Sequence, residues 1–175
     1  MSWTRIMECV PNFSEGRDLQ KIDQIVSPFR AKAGVKLLDY SNDEDHNRLV
    51  VTVVGEPEAL KEAVIEAIGV AVKLIDLNQH QGQHPRMGAA DVVPFIPIKG
   101  CTMEEAIAIS KEVGQRVAEA YQLPVFLMRS RHQLLIVKTW QLSARVNSKA
   151  WPKRFTNPNG IRISVLRNVI LRPEP

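Results

Sequence analysis

Apolar positions between residues 1 and 128 fall into two alternating rhythms, short dense runs and stretches at helical spacing. Met7–Pro11 is a dense run closed by Pro-Asn, which predicts a buried strand. From Asp18 to Lys32, Leu19, Ile22, Ile25, Val26 and Phe29 recur at helical spacing, and Gly34 is placed to stop the helix. Val35–Tyr40 and Arg48–Gly55 read as two strands joined by the polar loop Ser41–Asn47. Pro57 then stands in a helix's first turn, where its missing N–H costs nothing. That helix is expected to reach about Leu77, with Leu60, Ala63, Val64, Ala67, Ile68, Ala71 and Ile75 along one face.

Periodicity breaks over Asn78–Ala90. Asp91–Lys99 is strand-like, but its two prolines predict an edge or interrupted strand. Thr102-Met-Glu-Glu105 fits a capping box, in which the Thr hydroxyl accepts from one amide while the Glu reaches back to another. The helix it opens runs to about Tyr121, and Leu123–Leu127 is a last short strand. This order predicts an α+β fold: a ferredoxin-like sandwich with an extra strand, its mostly antiparallel sheet carrying helices on one face.

Composition adds bounds. Hydrophobic residues make up 45% of the 175 and charged residues 24%, ordinary for a soluble globular chain. No window approaches a membrane span, and Met1–Val10 lacks the apolar core of a signal peptide, so a cytoplasmic location is expected. Cys9 and Cys101 are too few for a disulfide framework and lack metal-site spacing. The net charge of +4 averages two unlike parts: residues 1–128 carry −5 and residues 129–175 carry +9. We therefore read 1–128 as the domain and 129–175 as a basic tail of atypical sequence, in which a strand near His132–Val137 is the clearest feature. The basicity sits in that tail, and residues 1–128 offer no aromatic pair in an RNA-binding pattern. No nucleic-acid partner is expected.

Candidate chemistry concentrates in His80-Gln-Gly-Gln-His84-Pro-Arg-Met-Gly88. Two imidazoles lie four residues apart, Gly82 and Gly88 permit unusual turns, and Arg86 supplies a fixed cationic fork. Pro85 restricts His84 towards extended backbone. Such a loop could hold an imidazole for proton transfer, or its histidines could be ordinary polar loop residues. Gly82 and Pro85 disfavour the helix that a metal-binding histidine pair would need, so no metal is expected. Pro11-Asn-Phe-Ser-Glu-Gly16 offers small polar groups after the first strand, or simply a turn and a helix cap. In Ser41–Asn47 the acids Asp43, Glu44 and Asp45 lack the Gly and distal Glu of a calcium loop. They read as a solvated turn, with Arg48 paired to one of them.

At these residues the chain resembles glutamate formimidoyltransferase, in its N-terminal subdomain, as found in formimidoyltransferase-cyclodeaminase. The matching stretches are Glu8-Cys-Val-Pro-Asn-Phe-Ser-Glu-Gly16, Leu37-Leu-Asp39, Asn47-Arg48, Leu74-Ile-Asp76, His80-x-Gly-x-His-Pro-Arg-Met-Gly88, and Asp91 with Val93-Pro-Phe-Ile-Pro97. The resemblance implies transfer of a formimidoyl group from N-formimino-L-glutamate to N5 of tetrahydrofolate, a one-carbon step of histidine degradation. It implies His84 as the catalytic residue and tetrahydrofolate as co-substrate. Asn12, Ser14, Arg48, His80, Arg86, Met87 and Gly88 are the expected folate- and substrate-binding residues. Arg48 and Arg86 are assigned as partners for substrate carboxylates.

The resemblance fades near Leu127, where the family continues with an acid-containing linker and a second subdomain. Within 131–141, codons exist whose adjacent frame reads Pro-Ala-Pro-His-Arg-Glu-Asn-Leu-Ala. Residues 155–165 likewise permit Ile-His-Gln-Pro-Glu-Trp-His-Pro-Asp-Phe-Gly. Both look like the family's continuation, so a frameshifted ending is expected. Part of the folate cradle would then be missing, activity impaired, and apolar surface left to form a homodimer. The alternative function is a non-catalytic folate-binding or dimerisation module.

Overall fold

A computed structural model of the protein describes residues 3–83, 88–123, 125–129, 135–139 and 162–165. The chain runs β1 (Ile6–Cys9), β2 (Asn12–Phe13), α1 (Leu19–Ala31), β3 (Val35–Asp43), β4 (Arg48–Gly55), α2 (Pro57–Leu74), β5 (Ala90–Lys99), α3 (Met103–Tyr121), β6 (Val125–Arg129), β7 (Leu135–Thr139) and β8 (Arg162–Val165). Among the described residues every strand pairing is antiparallel. Across the sheet the order is β3, β4, then β1 and β2 end to end, then β5, β7, β6 and β8. The first part, β5–β1–β4–β3 threaded as βαββαβ, is the ferredoxin-like arrangement, extended on the β5 side by α3 and the later strands. β7 and β8 thus come from the basic tail.

Alternation along the strands defines the buried face. In β4, Leu49, Val51 and Val53 are fully buried, and Met7, Cys9, Phe13 and Phe95 join them from neighbouring strands. The helices cover this face side by side: α2 packs against both α1 and α3, α1 over β3 and β4, and α3 over β5, β6 and β7. Among the described residues no helix is long and apolar enough to cross a membrane.

Local signals set most boundaries. Asp18 caps α1 by accepting from the amides of Gln20 and Lys21. Thr102 and Glu105 make the expected capping box. Gly34 (φ +80°) turns the chain out of α1 as anticipated.

Three expectations change. β3 runs on to Asp43, because its pairing with β4 continues to Asp43 opposite Arg48, leaving a shorter loop. α2 ends at Leu74, not Leu77, because the Asp76 carboxylate takes the Asn78 amide at 2.9 Å and both side-chain amides of Asn78 and Gln79. Those bonds offer the backbone an alternative to another helical turn. Finally, β5 is not an edge strand: β1 and β2 flank it on one side and β7 on the other. Its partner carries the interruption. Pro94 faces the break at Val10–Pro11 between β1 and β2, accepting only a long bond (3.4 Å) from the Val10 amide. Pro97 lies opposite Met7, where the register shifts. The missing N–H of Pro94 therefore falls where the ladder is already broken.

Candidate functional site

Three loops converge at one end of the sheet: the segment after β2 (14–17), the turn between β3 and β4 (44–47), and the segment after α2 (75–83). Their approach is too close for ordinary side chains at two points. A Cβ on Gly16 would lie 2.2 Å from the Asp43 carbonyl oxygen and 2.4 Å from the Arg48 amide. A Cβ on Gly82 would lie 2.5 Å from the His46 carbonyl oxygen.

Asn47 stands between the three. It is only 7% exposed and adopts φ +48°, a left-handed conformation that Asn tolerates better than most residues. Its Oδ1 accepts from the Gly16 amide at 2.8 Å, and its Nδ2 donates to the Gln81 carbonyl at 3.2 Å. His80 Nε2 lies 3.1 Å from the Asn47 carbonyl oxygen. A carbonyl only accepts, so Nε2 carries the hydrogen and the neutral ring keeps Nδ1 as its lone-pair nitrogen. The Gln83 amide adds a bond to the Asp45 carbonyl at 3.2 Å.

The far end of the histidine segment is tied separately. Ser14, 1% exposed, donates from Oγ to the Gly88 carbonyl at 2.7 Å, and its amide donates to the Ala89 carbonyl at 2.9 Å. Residues 80–83 are thus anchored to the turn before β4, and residues 88–89 to the segment after β2.

A cavity of about 190 Å³ opens beside this junction, lined by Ser14, Glu15, Lys21, Asn47, Ile75, Asp76, Gln79 and His80. Its polarity is organised rather than random. Glu15 Oε1 accepts from the Arg17 and Asp18 amides, and Lys21 Nζ sits 3.7 Å from Glu15 Oε2. The Asn78 amide, with its own side chain, holds the Asp76 carboxyl below its ordinary range. In the neighbouring turn, Asp43 receives the His46 amide and then the His46 ring, and these bonds lower its pKa as well.

Of the residues singled out in the sequence, Ser14 and His80 line this cavity. Gly88 is buried and bonded to Ser14. Asn12 and Arg48 alternate with the buried Phe13 and Leu49, onto the sheet face away from the helices. Asn12 donates to the Val10 carbonyl at 3.2 Å. Arg48 is not paired to an acid of its turn as expected: among the described residues it makes no ion pair, and its buried Nε meets no acceptor. Asp43 pairs with His46 instead. His84, Arg86 and Met87 lie outside the described residues. Among the described residues there is no group of three or more His, Cys, Asp or Glu side chains suited to a metal.

Sequence reasoning missed Asn47 as well as Glu15, Lys21, Asp76 and Gln79. For Asn47 a signal existed: an Asn at the end of a tight turn, directly before a strand, is a candidate for left-handed backbone. The others are brought together only by the fold.

The profile of the family described as "Formiminotransferase domain, N-terminal subdomain" matches residues 6–141. This chain belongs to that family. The match extends past the boundary expected at 128 and takes in β7. The chain is 46% identical over 123 residues to the glutamate formimidoyltransferase of Streptococcus pyogenes serotype M1, covering 70% of this chain and 41% of that protein. It is 39% identical over 181 residues to the formimidoyltransferase-cyclodeaminase of Dictyostelium discoideum, covering 95% of this chain and 34% of that one. With the glutamate formimidoyltransferase of Thermoplasma acidophilum the identity is 41% over 122 residues, 70% of this chain and 40% of the relative. The chain therefore spans well under half the length of these relatives.

Proposed function

We propose that this chain carries the histidine-loop part of a site that transfers a formimidoyl group from N-formimino-L-glutamate to N5 of tetrahydrofolate, a step of histidine degradation. The observation that carries this reading is the two-sided anchoring of the histidine segment, at His80–Gln83 by the turn before β4 and at Gly88–Ala89 by Ser14. Catalysis by a single imidazole needs a fixed pose, and this is how a loop achieves one.

In the proposed step N5 of tetrahydrofolate attacks the formimidoyl carbon, forming the N–C bond and a tetrahedral centre. N5 loses a proton to the His84 imidazole. The same imidazolium returns that proton to the departing glutamate nitrogen as its C–N bond breaks, so one base serves both halves. Arg48 and Arg86 take substrate carboxylates, for which a guanidinium fork is suited. Asn12, Ser14, His80, Met87 and Gly88 shape the surrounding pocket. Tetrahydrofolate enters as co-substrate, and the step draws on no metal. We place the protein in the cytoplasm as a homodimer.

The test is to mix the chain with formiminoglutamate and tetrahydrofolate and follow 5-formimidoyl-tetrahydrofolate. Turnover supports the transferase reading. Folate binding without turnover supports instead a non-catalytic folate-binding module.

A further inference from the structure

We propose that Asn47 is a positioning residue of this site, holding the start of the histidine segment against the loop that follows β2. This deepens the proposed function and rests on reading His80–Gly88 as the transfer loop.

The three loops meet at close quarters. Gly16 and Gly82 bring backbone against backbone, leaving no room for side chains. The carboxamide of Asn47 is the polar group in the gap, and its two ends point to different loops. Oδ1 takes the Gly16 amide from one, and Nδ2 reaches the Gln81 carbonyl of the other. The same residue's main-chain carbonyl receives His80 Nε2. One residue thus fixes both the path of the backbone at 80–81 and the tautomer of the first histidine.

Chemistry explains why Asn suits the place. The position needs an acceptor and a donor on one short planar group, together with left-handed backbone. Asp would keep the acceptor for Gly16 but set a carboxylate against the Gln81 carbonyl. Gly would keep the backbone and remove both bonds. His80 lines the cavity beside this junction, with Nδ1 as its lone-pair nitrogen. Loosening the clamp therefore changes both the path of the loop and which nitrogen His80 offers.

The deciding experiment compares wild type, Asn47→Asp and Asn47→Gly in the full chain with two readouts that need no turnover. Ring-nitrogen NMR reports the His80 tautomer, and amide hydrogen exchange reports protection of the Gln83 N–H, which bonds to Asp45. The expected result is a single Nε2–H tautomer in wild type, a mixture in both variants, and exchange at Gln83 faster by about tenfold or more. Where turnover is measurable, kcat should fall by about a hundredfold, the cost of an ångström's misplacement, with KM changing far less. An unchanged tautomer with unchanged exchange in both variants overturns the proposal. So does a drop in melting temperature with kcat per folded molecule preserved, which would make Asn47 structural only. Because the NMR and exchange readouts do not depend on catalysis, an inactive wild type would refute the transferase reading while still deciding the role of Asn47.

Discussion

Ser14 and Gly88 are 74 residues apart in sequence and joined by a 2.7 Å hydrogen bond from a buried hydroxyl to a buried carbonyl. Truncation to Ala leaves the Gly88 carbonyl without that partner, away from water. Ser14→Ala should cost about 1–3 kcal/mol of stability, the range for an orphaned buried polar group. Urea denaturation of the variant against wild type measures this. A loss below a few tenths of a kcal/mol would mean that water replaces the hydroxyl at no cost.

Gly82 should be intolerant for a steric reason. Its Cβ would meet the His46 carbonyl at 2.5 Å, a backbone atom that cannot swing aside. Gly82→Ala must push the histidine segment away from the turn before β4, costing about 1–3 kcal/mol as other overpacked sites do. Activity should drop more than stability, since the displaced loop carries the proposed base. Thermal melts run beside initial-rate assays separate the two, and equal losses in both would count against the positioning argument.

Arg48 offers a guanidinium whose buried Nε has no acceptor in the described structure. If it receives a substrate carboxylate, Arg48→Ala should raise KM by roughly tenfold to a hundredfold, matching the 1.5–3 kcal/mol of a charge-assisted hydrogen bond. kcat should change little, because the contact is equal in ground and transition states. Steady-state kinetics with each substrate varied in turn reveals which carboxylate it holds. A fall in kcat with KM unmoved would contradict the assignment.

Between α2 and α3, the Arg116 guanidinium bonds both oxygens of Glu62, and these hydrogen bonds hold the Glu62 carboxyl below its ordinary range. A depressed folded-state pKa contributes stability above the unfolded value, near 4.3. That contribution disappears as the pH falls through the folded value. Because the pair is partly exposed, the effect should be modest and weaker in salt. Glu62→Gln should flatten the acid limb of a stability–pH curve while leaving its shape between pH 6 and pH 8 unchanged, as chemical denaturation at several pH values can show.

Much of the fold was readable because its signals are local. Thr102 and Glu105 lie three residues apart, and the strand from Arg48 alternates cleanly, so pattern alone located them. Errors came where side chains compete with backbone. Asp76 draws Asn78 and Gln79 out of the helix, and Pro94 of β5 falls at the break between β1 and β2. The site followed the same division. The His80–Gly88 motif stands out in sequence, and its resemblance pointed to His84. Its anchoring bonds do not, because Ser14 meets Gly88, and Asn47 meets Gly16 and Gln81, only when β2, the turn before β4 and the segment before β5 are set side by side.

The central claim is that the anchored loop exists to present His84 as a proton carrier. Its most direct test is kcat for formimidoyl transfer by the wild-type chain and by His84→Ala, with both shown to be folded. A lost general acid–base group should lower kcat by about 10²–10⁴-fold, with KM little affected. Turnover by the variant within a few-fold of wild type would contradict the account.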